Sequence, residues 1–119
     1  MSDEFLKIAT AEINDEIFAI SNILSTCHTP IDVSANASEI QKSTHKIKGL
    51  APMMGKEELG DLSSMLDSML KKITDETMTD EIFESLIISV DAMKKSMTQS
   101  NINLNEIKQK ISQISSTFI

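Results

Sequence analysis

One helical stretch organises the chain: residues 40–55 read IQKSTHKIKGLAPMMG. Its apolar residues recur at intervals of seven, four and three, which places them on one side of a helix: Ile40, Ile47, Ala51 and Met54. At about 100° per residue, His45 lies roughly 140° from the centre of this apolar stripe. A buried structural histidine normally lies on or beside such a stripe. The sequence therefore predicts that His45 faces water.

Two residues accompany His45 on the polar face of this helix. Lys48 follows by three positions and can reach a charge held on the ring. Gly49 is adjacent on the same face, and because glycine costs about 1 kcal/mol inside a helix, it suggests that something must come close to the ring. Gly55 is expected to end the helix with a positive φ, and Pro52 to kink or fray its last turn.

Apolar residues at the same spacing predict five helices in all. They run from about Asp3 to Cys27, from near Ser34 or Asn36 to Gly55, from about Glu57 to Ile73, onward from a cap at Thr77 or Thr79, and onward from about Asn103. A turn at residues 28–30 and a polar link separate the first two helices. Inward-facing residues of the fourth helix are expected to include Ile82, Ile87 and Val90.

The helices are long and their connections are short, so neighbouring helices should pack antiparallel. The predicted fold class is all-α: an antiparallel four-helix bundle with an appended C-terminal fifth helix, in a single domain over residues 1–119. The composition agrees, because the chain has no Trp, no Tyr, three Gly and two Pro, which favours helices over a β-sandwich or barrel.

Charge and cysteine content limit the partners and the setting. Eighteen acidic and eleven basic residues give a net charge of −7, which repels polyanions, so no nucleic-acid partner is expected. The lone Cys27 and the absence of a basic, apolar leader predict a cytoplasmic protein. No segment approaches the roughly 20 apolar residues that span a bilayer, so no membrane insertion is expected. Cys27 and His28 lack the spacing of a metal site, and no metal or cofactor is predicted.

A carboxylate on the third predicted helix is placed to orient the histidine. Asp67 lies at the edge of that helix's apolar stripe, where it can face the second helix across a groove. A carboxylate that accepts the Nδ1 proton of His45 fixes the tautomer and leaves Nε2 as the free nucleophile.

These residues resemble a known family. The stretch is similar to the His-x-x-Lys-Gly pattern of histidine phosphotransfer domains, and among them to the N-terminal phosphotransfer domain of CheA-type chemotaxis kinases, with His45, Lys48 and Gly49 at the matching positions. Gly55 falls at the family's second glycine, and Asp67 falls where the family has a glutamate bonded to the phosphorylated histidine. The resemblance covers essentially the whole chain.

Three positions depart from the family's pattern. Asp67 is one methylene shorter than the glutamate, so its contact with the histidine should be longer or bridged by water. Ser64 stands where relatives often have a second histidine, which removes or weakens a helper interaction. Pro52 interrupts a helix that relatives usually keep regular.

The resemblance implies that His45 accepts an ATP-derived phosphoryl group from a histidine kinase catalytic domain. An aspartate of a response-regulator receiver domain would then take that group. Lys48 would stabilise the phosphoryl group, Asp67 would orient His45, and Gly49 would permit close approach. No glycine-rich phosphate loop is present, so the chain would be a phosphocarrier without its own ATP site, within or beside a histidine kinase.

The alternative is a helical bundle that binds partners and has lost phosphotransfer. His45 would then be an ordinary exposed histidine, Lys48 a solvated lysine and Asp67 a carboxylate of the helix surface.

Overall fold

The computed structural model describes residues 2–118, which form six α-helices and one turn of 3-10 helix. The α-helices are α1 (Asp3–Ser25), α2 (Pro30–Ala35), α3 (Ala37–Leu50), α4 (Glu57–Lys72), α5 (Asp80–Thr98) and α6 (Asn105–Ser115), and the 3-10 helix is Pro52–Met54. None of the described residues lies in a β-strand. The predicted all-α class is confirmed.

The short helix α2 was not predicted and occupies the link expected to be a turn and polar coil. Thr29 begins it with a capping box: its hydroxyl accepts from the backbone N–H of Asp32, and the Asp32 carboxylate accepts from the backbone N–H of Thr29. Pro30 fits the first helical position, where no N–H is needed. The fully buried Val33 then ties α2 to the core.

Side-chain caps begin two of the long helices, α1 and α5. The Ser2 hydroxyl accepts from the backbone N–H of Phe5 at the start of α1, and Thr79 accepts from that of Ile82 at the start of α5. Thr79 is therefore the cap of the fourth predicted helix, whereas Thr77 exchanges hydrogen bonds with Thr74 in the preceding turn.

Most of the core consists of apolar side chains from the long helices. Its largest fully buried members are Ile13, Ile20, Ile40, Ile47, Leu59, Leu62, Leu66, Met69, Leu86, Met93, Leu104 and Ile111. The inward prediction for Ile87 is wrong, since 50% of this residue is exposed. Ile82, Leu86 and Val90 already form the inward stripe of α5, and Ile87 lies about 100° beyond Leu86.

The α-helix α3 ends at Leu50, and Pro52 begins the 3-10 turn. Proline has no N–H and its ring crowds the preceding turn, so the α-helical bonds cannot continue through it. Gly55 has φ +79°, a left-handed conformation that glycine adopts without strain. The disturbance expected at Pro52 is therefore a change from α to 3-10 geometry. The positive φ expected at Gly55 is confirmed, but Gly55 ends the 3-10 turn, and the α-helix itself ends earlier than predicted, at Leu50.

Helices α3 and α4 pack side by side in opposite directions. Pro52 contacts Gly60 near one end of the pair, and Gln41 contacts Asp67 towards the other. A Cβ at Gly60 would lie 2.8 Å from Cγ of Pro52, so the two segments approach this closely only because residue 60 has no side chain.

The remaining helices complete the core around this pair. α1 packs against α3 and α5, and α6 packs against both α4 and α5. Across residues 2–118, none of the helices combines the length and the apolar character that crossing a membrane would require.

Candidate functional site

Three of the predicted site residues, His45, Lys48 and Asp67, meet at the carboxylate of Asp67. His45 is 62% exposed in its side chain, as its position on the polar face predicts, and Asp67 is only 1% exposed. His45 Nδ1 lies 3.6 Å from Asp67 Oδ1. This separation exceeds that of a hydrogen bond, so the pair is in close electrostatic contact without a direct bond. A long contact between His45 and Asp67 was expected because aspartate is one methylene shorter than glutamate, and the separation of 3.6 Å agrees with this expectation.

Asp67 is more deeply buried than its place at the edge of the apolar stripe indicated. Gln41 Nε2 donates a short hydrogen bond to Oδ1, the oxygen nearest to His45. Lys71 Nζ lies 3.3 Å from Oδ2, and Lys48 Nζ lies 3.7 Å from the same oxygen. The carboxylate therefore has partners on both oxygens and from both helices.

These partners keep Asp67 ionised. Burial by itself raises the pKa of the Asp67 carboxyl. The hydrogen bonds from Gln41 and Lys71, with the charges of Lys71 and His45, outweigh burial and hold this pKa below its ordinary value. At neutral pH Asp67 is a full negative charge that can only accept hydrogen bonds.

The geometry favours one ring nitrogen of His45 as the nucleophile. Nδ1 is the nitrogen near the Asp67 carboxylate, so a proton on Nδ1 is favoured there. The lone pair is then on Nε2, and the exposure of the side chain leaves the ring open to a second molecule. If Nε2 formed a bond, Asp67 would compensate the positive charge that builds on the ring.

The structure brings Lys48 to the site and gives Gly49 no internal contact. The Lys48 side chain is 42% exposed, so its ammonium group is available to a ligand as well as to Asp67. A Cβ built on Gly49 meets nothing within 4 Å, and the residue is exposed. No packing within the described chain therefore requires glycine at position 49.

Sequence reasoning missed two members of the site, Gln41 and Lys71. Lys71 follows Asp67 by four positions, the spacing at which side chains on a helix are neighbours. This ion pair could therefore have been predicted from the sequence. Gln41 precedes His45 by four positions on α3, but its bond to Asp67 depends on the register between two helices. Helical periodicity does not specify that register.

Within the described part of the chain, no three His, Cys, Asp or Glu side chains converge as a metal site. Comparison of the sequence with protein-family models and curated proteins, and of the fold with solved structures, gives no match.

Proposed function

We propose that the chain is a histidine phosphotransfer domain in which His45 carries the phosphoryl group. The observation that carries this proposal is the exposed imidazole with Nδ1 3.6 Å from a buried carboxylate. Two lysines on that carboxylate place positive charge beside the ring. A surface histidine without a role needs neither the buried anion nor the cations.

Phosphorylation of His45 proceeds by attack of Nε2 on the γ-phosphorus of ATP held by a histidine kinase catalytic domain. An N–P bond forms, the bond from phosphorus to the bridging oxygen breaks, and ADP leaves with that electron pair. Asp67 stabilises the resulting charge on the imidazole, and Lys48 contacts the phosphoryl oxygens by charge-assisted hydrogen bonds. Gly49 leaves the space beside the ring open to the kinase domain.

Transfer onward reverses these roles. A carboxylate oxygen of an aspartate in a response-regulator receiver domain attacks the phosphorus, and the N–P electron pair returns to Nε2. The chain then regains its neutral imidazole and acts as a carrier without an ATP site of its own. Both proposed partners use phosphate derived from ATP, which fits a cytoplasmic setting within or beside a CheA-type kinase.

The proposed architecture is that of an antiparallel four-helix bundle formed by α1, α3, α4 and α5. Its support is the packing of α1 against α3 and α5, and of α3 against α4. α6 is the appended helix of this bundle, in contact with α4 and α5. Such a bundle holds His45 and Asp67 on two adjacent, rigid helices, which suits a site that needs fixed geometry.

A second candidate is a bundle that binds partners and carries no phosphate. One observation favours it: Gln41, Lys48 and Lys71 already provide partners for both oxygens of Asp67, without any bond to His45. In this case Asp67 and its partners would serve only to join α3 and α4.

The test is incubation with a CheA-type kinase core and radiolabelled ATP, with phosphoramidate as a donor that requires no kinase. The wild-type chain and His28→Gln should gain an acid-labile, base-stable phosphate, and His45→Gln should gain none. Because His45 is exposed, His45→Gln should melt at the wild-type temperature. Undiminished labelling of His45→Gln, or phosphate mapped to His28, would contradict the proposal.

A further inference from the structure

Lys71 is a cation of the site that was not predicted from the sequence. We infer that Lys71 is a second phosphoryl-binding lysine, which contacts the oxygens of the group on His45 together with Lys48. This inference rests on the proposed function, because it concerns the same phosphoryl group.

The position of Lys71 is the first support. Its Nζ lies 3.3 Å from Asp67 Oδ2, nearer than the 3.7 Å of Lys48 Nζ. Lys48 reaches this oxygen from α3 and Lys71 reaches it from α4, so the two ammonium groups meet at the carboxylate that also lies beside His45. The Lys71 side chain is 57% exposed, which leaves its ammonium free to turn towards a ligand.

The charge balance is the second support. One carboxylate faces two ammonium groups here, a surplus of positive charge in a chain whose formal net charge is −7. Two other lysines of α3 are paired with glutamates, Lys42 with Glu39 and Lys46 with Glu16. A phosphoryl group carries a charge of about −2 and three acceptor oxygens. It can use the N–H donors of Lys48 and Lys71 that Asp67 does not engage.

Lys71 also lies in the last turn of α4, where any cation stabilises the helix end. Lys72 shares that turn and that charge, is exposed, and is one residue away. At about 100° per residue it points to a different side of α4. Lys72→Ala is therefore a matched control for Lys71→Ala, because both remove one charge from the same helix end.

The experiment uses phosphoramidate as the donor and follows phosphate uptake at His45 by phosphorus NMR and peptide mapping. Nε2 attacks phosphorus, the N–P bond to the ring forms, the P–N bond of the donor breaks, and ammonia leaves with its electron pair. Lys71→Ala should slow uptake by about three- to tenfold, as expected for the loss of a charge-assisted contact. Lys72→Ala should match the wild type, and Lys71→Arg should keep most of the rate.

The outcomes separate this inference from the proposed function. If the wild type is labelled on His45 and Lys71→Ala reacts as fast as Lys72→Ala, the role of Lys71 is overturned and the proposed function stands. If the wild type takes up no phosphate on His45, the proposed function fails and the inference fails with it.

A double variant distinguishes direct contact from an effect through Asp67. Lys71→Ala should slow uptake in the Asp67→Asn background as well, because the lysine acts on the phosphoryl group itself. A Lys71→Ala change without effect in that background would overturn the inference and make Lys71 a positioning residue. Melting temperatures of all variants identify any loss of rate that follows from unfolding.

Discussion

Asp67 places a negative charge inside the contact between α3 and α4, where an unpaired ion would destabilise the fold by on the order of several kcal/mol. Its ion pairs and its hydrogen bond come from both helices, so the same contacts hold the helices together and fix the group beside His45. The stability of the fold and the proposed phosphotransfer therefore depend on one side chain, and experiments on Asp67 have to measure both.

His45 of the Asp67→Asn variant should be phosphorylated more slowly than His45 of the wild type, because the amide has no charge to stabilise the imidazolium. Asp67→Glu should retain or raise the rate, since one added methylene extends the side chain by about 1.5 Å towards a ring nitrogen now 3.6 Å away. Both rates are measured by radiolabelling, beside melting temperatures. An unchanged rate for Asp67→Asn would show that the carboxylate only joins the helices.

Acid should remove the stabilisation that Asp67 provides. Its pKa is lowered in the folded chain, so its contribution is fully present above the unfolded value of about 3.9 and is lost as the pH falls through the folded pKa. The free energy of unfolding of the wild type, relative to Asp67→Asn, should therefore decrease below about pH 4. Urea titrations of both chains at neutral and acid pH measure this difference. A difference that stays constant with pH would contradict the lowered pKa.

At the scale of elements, the sequence predicted the long helices because their apolar periodicity is local, although α3 ends at Leu50 and not at Gly55. The stripe of α3 and the polar position of His45 follow from spacing within a single helix. The helix α2 was not predicted because Thr29 and Pro30 are also typical of a turn. Only the reciprocal hydrogen bonds between Thr29 and Asp32 distinguish a helix from a turn here. The contact of Gln41 with Asp67 was not predicted because the two residues lie on different helices. No local sequence pattern specifies the register between those helices.

Two glycines within helices should respond in opposite ways to the same substitution. Gly49→Ala should keep or raise the free energy of unfolding, by up to about 1 kcal/mol, because the new Cβ meets nothing within 4 Å. Gly60→Ala should lower it, because its Cβ would lie 2.8 Å from Pro52 Cγ and would push α4 away from the turn after α3.

A bulkier substitution at Gly49 tests whether partner domains approach His45 on this side. Gly49→Leu should remain folded but slow transfer to and from partner domains, if the space beside His45 is needed for their approach. Chemical denaturation gives the stabilities, and labelling by a kinase core gives the rates. Equal stability losses at the two glycines, or normal transfer by Gly49→Leu, would contradict these expectations.

At the scale of the molecule, α6 supports α4 from the side away from the site. Lys108 on α6 pairs with Glu58 of α4 at 2.7 Å and lies 3.8 Å from Asp61. The hydrogen bond from Lys108 to Glu58 raises the pKa of this lysine, which favours its charged form. On the α4 wheel Asp67 lies about 180° from Glu58 and about 120° from Asp61. The face of α4 that holds α6 is thus distinct from the face that holds His45.

This separation predicts that damage to the α6 contact lowers stability without changing the chemistry. Ile111 is fully buried on α6, so Ile111→Ala should lower the free energy of unfolding by about 2–4 kcal/mol, the usual result of a cavity of this size. Because the α3–α4 contact is untouched, His45 should be phosphorylated at the wild-type rate in the molecules that remain folded. Denaturant titration gives the first quantity, and labelling well below the melting temperature, corrected for the folded fraction, gives the second. A rate per folded molecule that fell with stability would mean that α6 holds α4 in the position at which Asp67 meets the histidine.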